Sequence, residues 1–367
     1  MSDSRLFQPM KIGNIQAQHR VGMAPMTRLR ATGDRVPNAL MKEYYSQRAS
    51  APGTLIITEG TLVSYAAGGG FARTPGIWNQ EQVAAWRSIA DEVHNKGSHV
   101  FMQIFAMGRA ANVEVAKEEG IDIVAPSEVS FEDSDAQPRA MTLQGINEMI
   151  DAFVTASKNA ITAGFDGVEI HAANGYLLDQ FLQDVSNHRN DEFGGSVENR
   201  SRFVSEIMNR TVEAIGADRV GLRLSPWSTF QGMRMKDPIP QFTDIINQAK
   251  SLNLAYLHLV ESRICGSQDD VNGSGHEKLD FAYDIWNGPL LIAGGYTLQG
   301  AKDLVDRAHP DRQVMVMFGR DFLANPDLVK RLKQGLLLNK GDRRTYYTSD
   351  EVGYLDYPFT AETVVTA

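Results

Sequence analysis

The chain has 367 residues, of which 43% are hydrophobic and 22% charged, and its formal net charge is −9. This composition is typical of a globular protein with a large apolar core and excludes an intrinsically disordered chain. The acidic balance, with no cluster of Lys and Arg, argues against nucleic acid or an anionic membrane as a partner and favours a small molecule.

Cysteine usage and the N-terminus bear on location. Cys265 is the only cysteine, which excludes an internal disulfide and a metal site built from several thiolates. The first residues lack the apolar core of a signal peptide, and no window reaches the roughly 18 apolar residues of a membrane span. These features predict a cytoplasmic protein with no membrane association.

Eight short apolar runs recur along the chain, and most are followed by a loop signal and a helical pattern. They begin near Val21, Thr54, Ser98, Asp166, Arg219, Ala255, Pro289 and Gln313. Strands separated by helices pair in parallel, because a parallel partner requires a crossover, and eight such units close a barrel. We therefore predict an α/β fold in which residues 1–367 form a single (β/α)8 TIM-barrel domain.

An open doubly wound sheet is the competing fold for alternating strands and helices. It would carry a glycine-rich fingerprint directly after its first strand. Pro25-Met26-Thr27 stands there instead, which favours the barrel.

The helical patterns between the runs support this interpretation. Asn79 is placed to cap a helix, and a long apolar stripe runs from Ile146 to Ile161, with Gly164 where that helix would end. Similar stripes run from Phe203 to Ile215 and from Phe242 to Leu252. Each of these helices lies between two predicted strands, as a barrel requires.

Three segments lie outside this repeat. Residues 6–20 contain the turn signal Gly13-Asn14, which predicts a hairpin closing the lower end of the barrel. Residues 106–140 and 262–287 are too long for simple turns. Both follow strands, and loops after strands lie on the catalytic face of a barrel, so both are candidate lids.

The fourth predicted strand ends in a group of polar side chains. Glu169 and His171 share one face of the strand, and Asn174 and Tyr176 follow in the loop. A lone histidine is more often a satisfied core residue than a catalytic one. Here an imidazole and an amide can donate to one oxygen while a phenol delivers a proton, which predicts a catalytic group. A metal site is less favoured, since the histidines are dispersed singly.

Other strand ends carry residues suited to an anion. Arg223 lies between leucines in the fifth strand, so it needs either an ion pair with a carboxylate such as Glu169 or an anionic ligand. Glycines follow the seventh and eighth strands at Gly294-Gly295 and Gly319, where barrels often bind phosphate, and Arg320 adds a bidentate donor. Together these positions predict a phosphorylated cofactor lying across the barrel mouth.

The residues that match a known family lie along essentially the whole chain. The chain resembles the Old Yellow Enzyme family of FMN-dependent ene-reductases, and looks closest to its filamentous-fungal members. The matching segments are Ala24-Pro25-Met26-Thr27-Arg28, Pro75-Gly76-Ile77-Trp78, His171 to Phe181, Phe193 to Arg200, and Phe318-Gly319-Arg320.

The resemblance implies roles for individual residues toward non-covalently bound FMN. Thr27 would bind the flavin C4 carbonyl, Gln103 its pyrimidine edge, and Arg223 the region of N1 and the C2 carbonyl. The remaining FMN-contacting positions would be Pro25, Gly60, Gly295, Gly319 and Arg320. Two positions depart from common family members: Phe105 stands for a tryptophan in the pocket wall, and Gly295 for an asparagine.

For catalysis, the resemblance implies that His171 and Asn174 grip a substrate carbonyl oxygen and that Tyr176 donates a proton. Thr27, Phe105 and Tyr347 would line the substrate pocket. The implied activity is reduction of activated alkenes by NADPH through FMN, in a monomer or homodimer. Two alternatives stay open: a flavin-dependent isomerase of a secondary-metabolite pathway, and a flavin-free barrel that is a lyase, a hydrolase or a ligand-binding protein.

Overall fold

Eight parallel strands close into a barrel in the computed structural model, which describes residues 4–132, 134–265, 268–269 and 277–360. In hydrogen-bonding order the barrel strands are β4 (Leu55–Ile57), β3 (Val21–Met23), β15 (Val314–Phe318), β14 (Leu290–Ala293), β11 (Tyr256–Val260), β10 (Val220–Leu224), β9 (Gly167–Ala172) and β6 (His99–Phe105), and pairing of β4 with β6 completes the ring. In chain order the strands are β1 (Met10–Ile12), β2 (Ile15–Ala17), β3 (Val21–Met23), β4 (Leu55–Ile57), β5 (Thr61–Leu62), β6 (His99–Phe105), β7 (Val124–Ala125), β8 (Arg139–Ala140), β9 (Gly167–Ala172), β10 (Val220–Leu224), β11 (Tyr256–Val260), β12 (Ile264–Cys265), β13 (Gln268–Asp269), β14 (Leu290–Ala293) and β15 (Val314–Phe318).

Helices alternate with these strands and cover the outside of the barrel. They are α1 (Ala39–Arg48), α2 (Gln80–Asn95), α3 (Val113–Glu119), α4 (Leu143–Thr162), α5 (Leu177–Leu182), α6 (Val197–Ile215), α7 (Ile239–Ser251), α8 (Asp280–Ile285), α9 (Leu298–Asp303), α10 (Arg320–Ala324) and α11 (Leu328–Gln334). Each barrel strand begins within one residue of its predicted position, which confirms the TIM-barrel prediction. Among the described residues, no helix is long and apolar enough to cross a membrane.

The barrel interior is a packed apolar core at its lower end. Leu55, Phe101 and Leu291 form one buried cluster there with Met10 and Ile15 of the hairpin β1–β2. The predicted hairpin is therefore confirmed, and it closes the bottom of the barrel. Apolar side chains withdrawn from water in this way each stabilise the fold by about 1.5–3 kcal/mol.

Local signals behave as expected from the sequence. Asn79 and Gln82 form a capping box at the start of α2, in which each side chain accepts a backbone N–H of the other residue. Gly164 follows α4 with φ of +89°, a conformation that a residue without Cβ adopts at low cost. These caps set the ends of the helices that hold β6 and β9 in place.

The two long connections contain secondary structure of their own. Residues 106–140 form a short 3-10 turn, α3 and the parallel pair of β7 with β8. Within residues 262–287, β12 pairs with β13 and α8 follows, while 266–267 and 270–276 lie outside the described residues.

A cluster of buried arginines holds the C-terminal segment, defined as residues 342–358. Arg28 donates from Nη2 to the carbonyl oxygen of Gly353 at 2.8 Å, and Arg30 donates from Nη2 to that of Thr345 at 2.9 Å. The ring of Tyr354 stacks on Tyr44 at a centroid distance of 4.2 Å, and both guanidinium groups lie over it. These contacts fasten the C-terminal segment to the loop that follows β3.

We expect Arg30→Met to lower the free energy of unfolding by about 3 kcal/mol, because the variant leaves several buried carbonyl oxygens without their charged donor. Amide hydrogen exchange in the C-terminal segment is expected to rise before that of the barrel strands. Arg344→Met in the same segment is the control, since Arg344 is exposed and forms an ion pair with its near neighbour Asp342. Equal exchange in the two variants would contradict the anchoring role of Arg30.

Candidate active site

Except for Tyr347, which lies in the C-terminal segment, the predicted site residues lie at or just after the carboxyl ends of seven of the eight barrel strands. Gln103 and Phe105 end β6, His171 lies near the end of β9, and Arg223 near the end of β10. The loops after the other four of these strands carry Pro25 and Thr27, Gly60, Gly295, and Gly319 with Arg320. Residues as far apart in the chain as Pro25 and Arg320 are thereby gathered at one face of the barrel.

Strand register places the charged and imidazole groups side by side. Arg223 is aligned with His171 on β9 and with His258 on β11. One step lower, Glu169 is aligned with Gln103 on β6 and with Gly221 on β10. All of these side chains point into the barrel, because alternate residues of a strand share a face.

His171 is buried and neutral. Its Nδ1 atom has no hydrogen-bond partner within the described part of the chain, and its ring centroid lies 5.2 Å from that of Tyr176. Burial lowers the pKa of His171 well below the ordinary value, and the nearby Arg223 and His258 lower it further. A neutral imidazole has one N–H to donate, so His171 can serve as a hydrogen-bond donor without carrying charge.

Asn174 is held in a left-handed conformation with φ of +57°. Its backbone N–H donates to Ser225 Oγ at 2.8 Å, and its carbonyl oxygen accepts from Gln231 Nε2 at 3.1 Å. Asn tolerates this region of backbone space better than most residues. The next residue, Gly175, also has positive φ, and an added Cβ there would lie 2.8 Å from Gln231 Cβ. The turn therefore depends on both residue types.

Tyr176 follows this turn and lies next to His171. Its ring meets Phe105 edge to face at 5.1 Å. Burial raises the pKa of Tyr176 to about 12, and the nearby Tyr347 adds to that rise. The phenol is therefore protonated at neutral pH and has a proton to give. Tyr347 itself is 54% exposed, and its place at the substrate pocket stays a prediction.

Arg223 is a buried cation with an available donor. Its Nε atom has no hydrogen-bond partner among the residues that the structure describes. The ion pair with Glu169 that the sequence allowed is absent there, because Glu169 contacts Gln103 and His258 instead. Burial lowers the pKa of Arg223, and Glu169 opposes this effect. A buried guanidinium with a free donor fits a ligand carrying carbonyl or anionic groups.

The predicted phosphate end of the site is open to a ligand. A Cβ added at Gly319 would meet no atom closer than Met26 Sδ at 3.5 Å. Gly295 follows β14, has φ of +62° and is exposed. Arg320 follows the neighbouring strand β15 and is partly buried. In the described residues no cluster of His, Cys, Asp and Glu could hold a metal ion.

Sequence reasoning missed Arg109, which connects the segment 106–140 to Gln231 in the loop after β10. Its guanidinium donates to the carbonyl oxygens of Ser130, at 3.4 Å, and Gln231, at 3.1 Å. Because Gln231 in turn donates to Asn174, Arg109 links the segment 106–140 to the turn that carries Asn174. An arginine within the small apolar run Ala106 to Ala111 was the available signal.

Sequence reasoning also missed Asp179, which supports the same turn from below. Its Oδ2 atom accepts the Gly175 N–H at 2.9 Å, and its Oδ1 atom accepts from Gln183 Nε2 at 2.7 Å. Burial raises the pKa of Asp179 to about 7, although these hydrogen bonds oppose the rise. A carboxylate within the apolar run Leu177 to Leu182 could have marked it.

We expect Asp179→Asn to change how stability depends on pH. The pKa of Asp179 rises from 3.8 to about 7 on folding, so its contribution is most favourable below pH 3.8 and is lost as the pH rises toward 7. Relative to Asp179→Asn, the wild-type chain should lose up to about 4 kcal/mol across that range, at 1.36 kcal/mol per pKa unit. Urea unfolding at a series of pH values measures this difference. Parallel curves would contradict it, and the exposed Asp184→Asn is the control.

Comparison with known proteins decides the family. The model of the NADH:flavin oxidoreductase / NADH oxidase family matches residues 5–339. The chain belongs to this family. Old Yellow Enzyme from Pichia sp. AKU4542 superposes with a TM-score of 0.90 at 39% identity, covering 98% of this chain and 95% of that chain. The protein is thus an Old Yellow Enzyme family member, a flavin-dependent oxidoreductase with FMN as its cofactor.

This Old Yellow Enzyme family member has fungal relatives along its whole length. It is 48% identical to Chanoclavine-I aldehyde reductase fgaOx3 of Penicillium roqueforti, over 98% of this chain and 97% of the relative. It is 46% identical to NADP-dependent oxidoreductase lnbE of Aspergillus flavus, over 98% of each. It is 48% identical to a "Probable inactive reductase easA" of Epichloe festucae var. lolii, over 99% of this chain and 97% of the relative.

Proposed function

We propose that this flavoprotein is an NADPH-dependent ene-reductase that acts on α,β-unsaturated carbonyl or nitro compounds. The observation that carries the proposal is that a neutral His171 lies beside a protonated Tyr176, with ring centroids 5.2 Å apart, and that a left-handed Asn174 forms the turn between them. Two neutral donors suit a carbonyl oxygen, and a phenol of high pKa suits proton donation to carbon. This combination serves reduction of a polarised carbon–carbon double bond.

The residues proposed to hold FMN are those whose chemistry matches its polar groups. Arg223 offers a fixed cation and a free donor for the N1 and C2 carbonyl region, and Gln103 an amide for the pyrimidine edge. Thr27 would bind the C4 carbonyl, and Gly319 leaves room for the phosphate. When bound, FMN accepts a hydride from the nicotinamide donor and passes it to the β-carbon of the alkene.

The protein's own groups would act on the substrate. His171 and Asn174 would donate to the substrate oxygen, and these hydrogen bonds strengthen as that oxygen gains negative charge. Tyr176 would donate its proton to the α-carbon. Phe105, packed against Tyr176, would form one wall of the pocket.

The nicotinamide donor is proposed to be NADPH. The support is the name of the Aspergillus relative, an NADP-dependent oxidoreductase, at 46% identity. The family description names NADH, so a direct comparison of the two donors at equal concentration tests this choice.

A second candidate function is flavin-dependent isomerisation within a secondary-metabolite pathway. The relatives named chanoclavine-I aldehyde reductase favour an aldehyde substrate, and several relatives named easA are described as probably inactive. Retention of Tyr176 favours net reduction, because isomerisation needs no proton delivered to the α-carbon. Product mass distinguishes the two: reduction adds two hydrogens, and isomerisation leaves the mass unchanged.

Anaerobic half-reactions test the proposal. The FMN-bound protein is reduced with NADPH and then mixed with enones, enals, maleimides and nitroalkenes, while flavin absorbance is followed. Rapid reoxidation with products two hydrogens heavier supports the proposal. A protein that takes up no FMN, or that no activated alkene reoxidises, contradicts it. The single domain, the cytoplasmic location and the choice of monomer or homodimer stay predictions.

A further inference from the structure

We propose that Glu169 is a positioning residue that orients Gln103 and lowers the midpoint potential of the bound flavin by offsetting the charge of Arg223. The inference rests on the proposed function, in which Gln103 and Arg223 contact FMN. Glu169 is fully buried in the barrel, and its side chain belongs to a network that spans β6, β9, β10 and β11.

Two direct hydrogen bonds tie Glu169 to its neighbours. Gln103 Nε2 donates to Glu169 Oε1 at 2.8 Å, and His258 Nδ1 lies 2.8 Å from Glu169 Oε2. The other ring nitrogen of His258, Nε2, is buried and has no partner within the described residues. Glu169 thus binds one group on each side, from β6 and from β11, at the level just below His171 and Arg223.

The ionisation states of Glu169 and His258 depend on burial and on the other groups of this network. Burial by itself would raise the pKa of Glu169, but His258, Arg223 and Gln103 together hold that pKa below its ordinary value. Burial lowers the pKa of His258, so its imidazole is neutral. The network therefore contains one carboxylate and one guanidinium, and its net charge is zero.

The arrangement leaves the donors of Arg223 free while cancelling part of its field. A direct ion pair would direct the guanidinium toward the carboxylate and consume its N–H groups. Here Glu169 lies one step lower in the barrel and contacts Gln103 and His258 instead. A ligand at the strand ends can consequently accept hydrogen bonds from Arg223. The positive electrostatic potential of Arg223 at that ligand is reduced by Glu169.

The same carboxylate decides which way the amide of Gln103 points. An ionised carboxylate has only acceptors, so the NH2 group of Gln103 must face it. The carbonyl oxygen of Gln103 is then the end left for an N–H donor at the pyrimidine edge of a flavin. The Nδ1 atom of His258 must carry its proton for the same reason.

The consequence concerns the reduced flavin, which becomes anionic near N1. A negative charge behind Arg223 makes that anion less stable, and so holds the flavin toward its oxidised form. Glu169→Gln raises the net charge of the network by one. We expect the ratio of reduced to oxidised flavin at a fixed potential to rise about tenfold, which for a two-electron couple is about 30 mV.

The test uses the FMN-bound protein and three variants, Glu169→Gln, His258→Asn and the double variant. His258→Asn is the matched control, because an Asn amide donates to Glu169 from nearly the same place and changes no charge. In the double variant two amides pair with each other, which avoids leaving His258 in an unfavourable tautomer. The readouts are the midpoint potential by equilibration with a reference dye and the FMN dissociation constant by flavin fluorescence.

At a fixed potential, we expect the ratio of reduced to oxidised flavin to rise about tenfold in Glu169→Gln and in the double variant. In His258→Asn the same ratio should change less than about twofold. If Glu169→Gln does not fold, the double variant takes its place. A shift equal in all three variants, no shift in the two that lose the carboxylate, or failure of both to fold overturns the inference. If the wild-type protein binds FMN and reduces alkenes in these cases, the proposed function survives. A wild-type protein that binds no FMN overturns both.

Discussion

Tyr176→Phe is expected to slow reoxidation of the reduced protein by an enone about 10²- to 10⁴-fold, the range typical for loss of a general acid. Reduction by NADPH should change less than about twofold, because that half-reaction needs no proton from the phenol. The raised pKa of Tyr176, about 12, means that the group is protonated throughout the neutral range. The slowed step should therefore show no titration of the phenol between pH 6 and pH 9.

Stopped-flow absorbance of the flavin measures the two half-reactions separately. The ring of Phe preserves the edge-to-face contact with Phe105, so the variant tests the hydroxyl alone. Tyr65→Phe is a matched control, since it removes a phenol that donates to the carbonyl oxygen of Glu119 in the segment 106–140. Equal slowing of both half-reactions by Tyr176→Phe would assign the hydroxyl to FMN binding or to the fold.

Loss of either neutral donor proposed for the substrate oxygen should slow reoxidation of the reduced protein by an enone about 10²- to 10³-fold, the effect of removing one oxyanion donor. The variants are His171→Ala and Asn174→Ala. His171→Gln retains a neutral N–H donor and should recover part of the rate. A phenol inhibitor, whose oxygen would occupy the same position, should bind more weakly to both alanine variants.

Asn174→Ala requires one further control, because the residue has φ of +57° and alanine is strained there. Asn174→Gly relieves the backbone strain and still removes the amide. If Asn174→Gly retains wild-type activity, the side chain of Asn174 is not a donor to the substrate, and its role is conformational. If both variants lose activity to the same extent, the amide is required.

Local signals were enough to predict the fold. The short apolar runs of the strands and the 3.6-residue period of the helices are recorded in consecutive residues, so the eight strands could be placed within one residue. The capping box at Asn79 and the glycine after α4 are equally local. The hairpin below the barrel followed from a turn signal among scattered apolar residues.

The grouping of site residues was also predictable in part. Parallel strands in a barrel bring all their carboxyl ends to one face, so chain order alone indicated that His171 and Arg223 would meet. The individual roles toward FMN and substrate came from the resemblance to a family. They stay predictions, for which the half-reaction experiments provide the test.

Contacts of side chains with main-chain atoms were beyond sequence reasoning. Arg109 and Asp179 stabilise the Asn174 turn through hydrogen bonds to main-chain atoms, and a main-chain carbonyl or N–H leaves no mark in the residue pattern. The arginines that hold the C-terminal segment bind carbonyl oxygens more than 300 positions away, and these contacts could not be predicted for the same reason.

The sequence by itself determined the barrel, the order of its strands along the chain and the face on which the chemistry lies, because these depend on periodicity and topology. Only the tertiary structure decided the charge and partners of the buried groups. Glu169 was an allowed ion-pair partner of Arg223 in the sequence, and the structure pairs it with Gln103 and His258 instead. Which neighbour a buried side chain contacts depends on strand register and rotamer, and both are set by packing across the barrel.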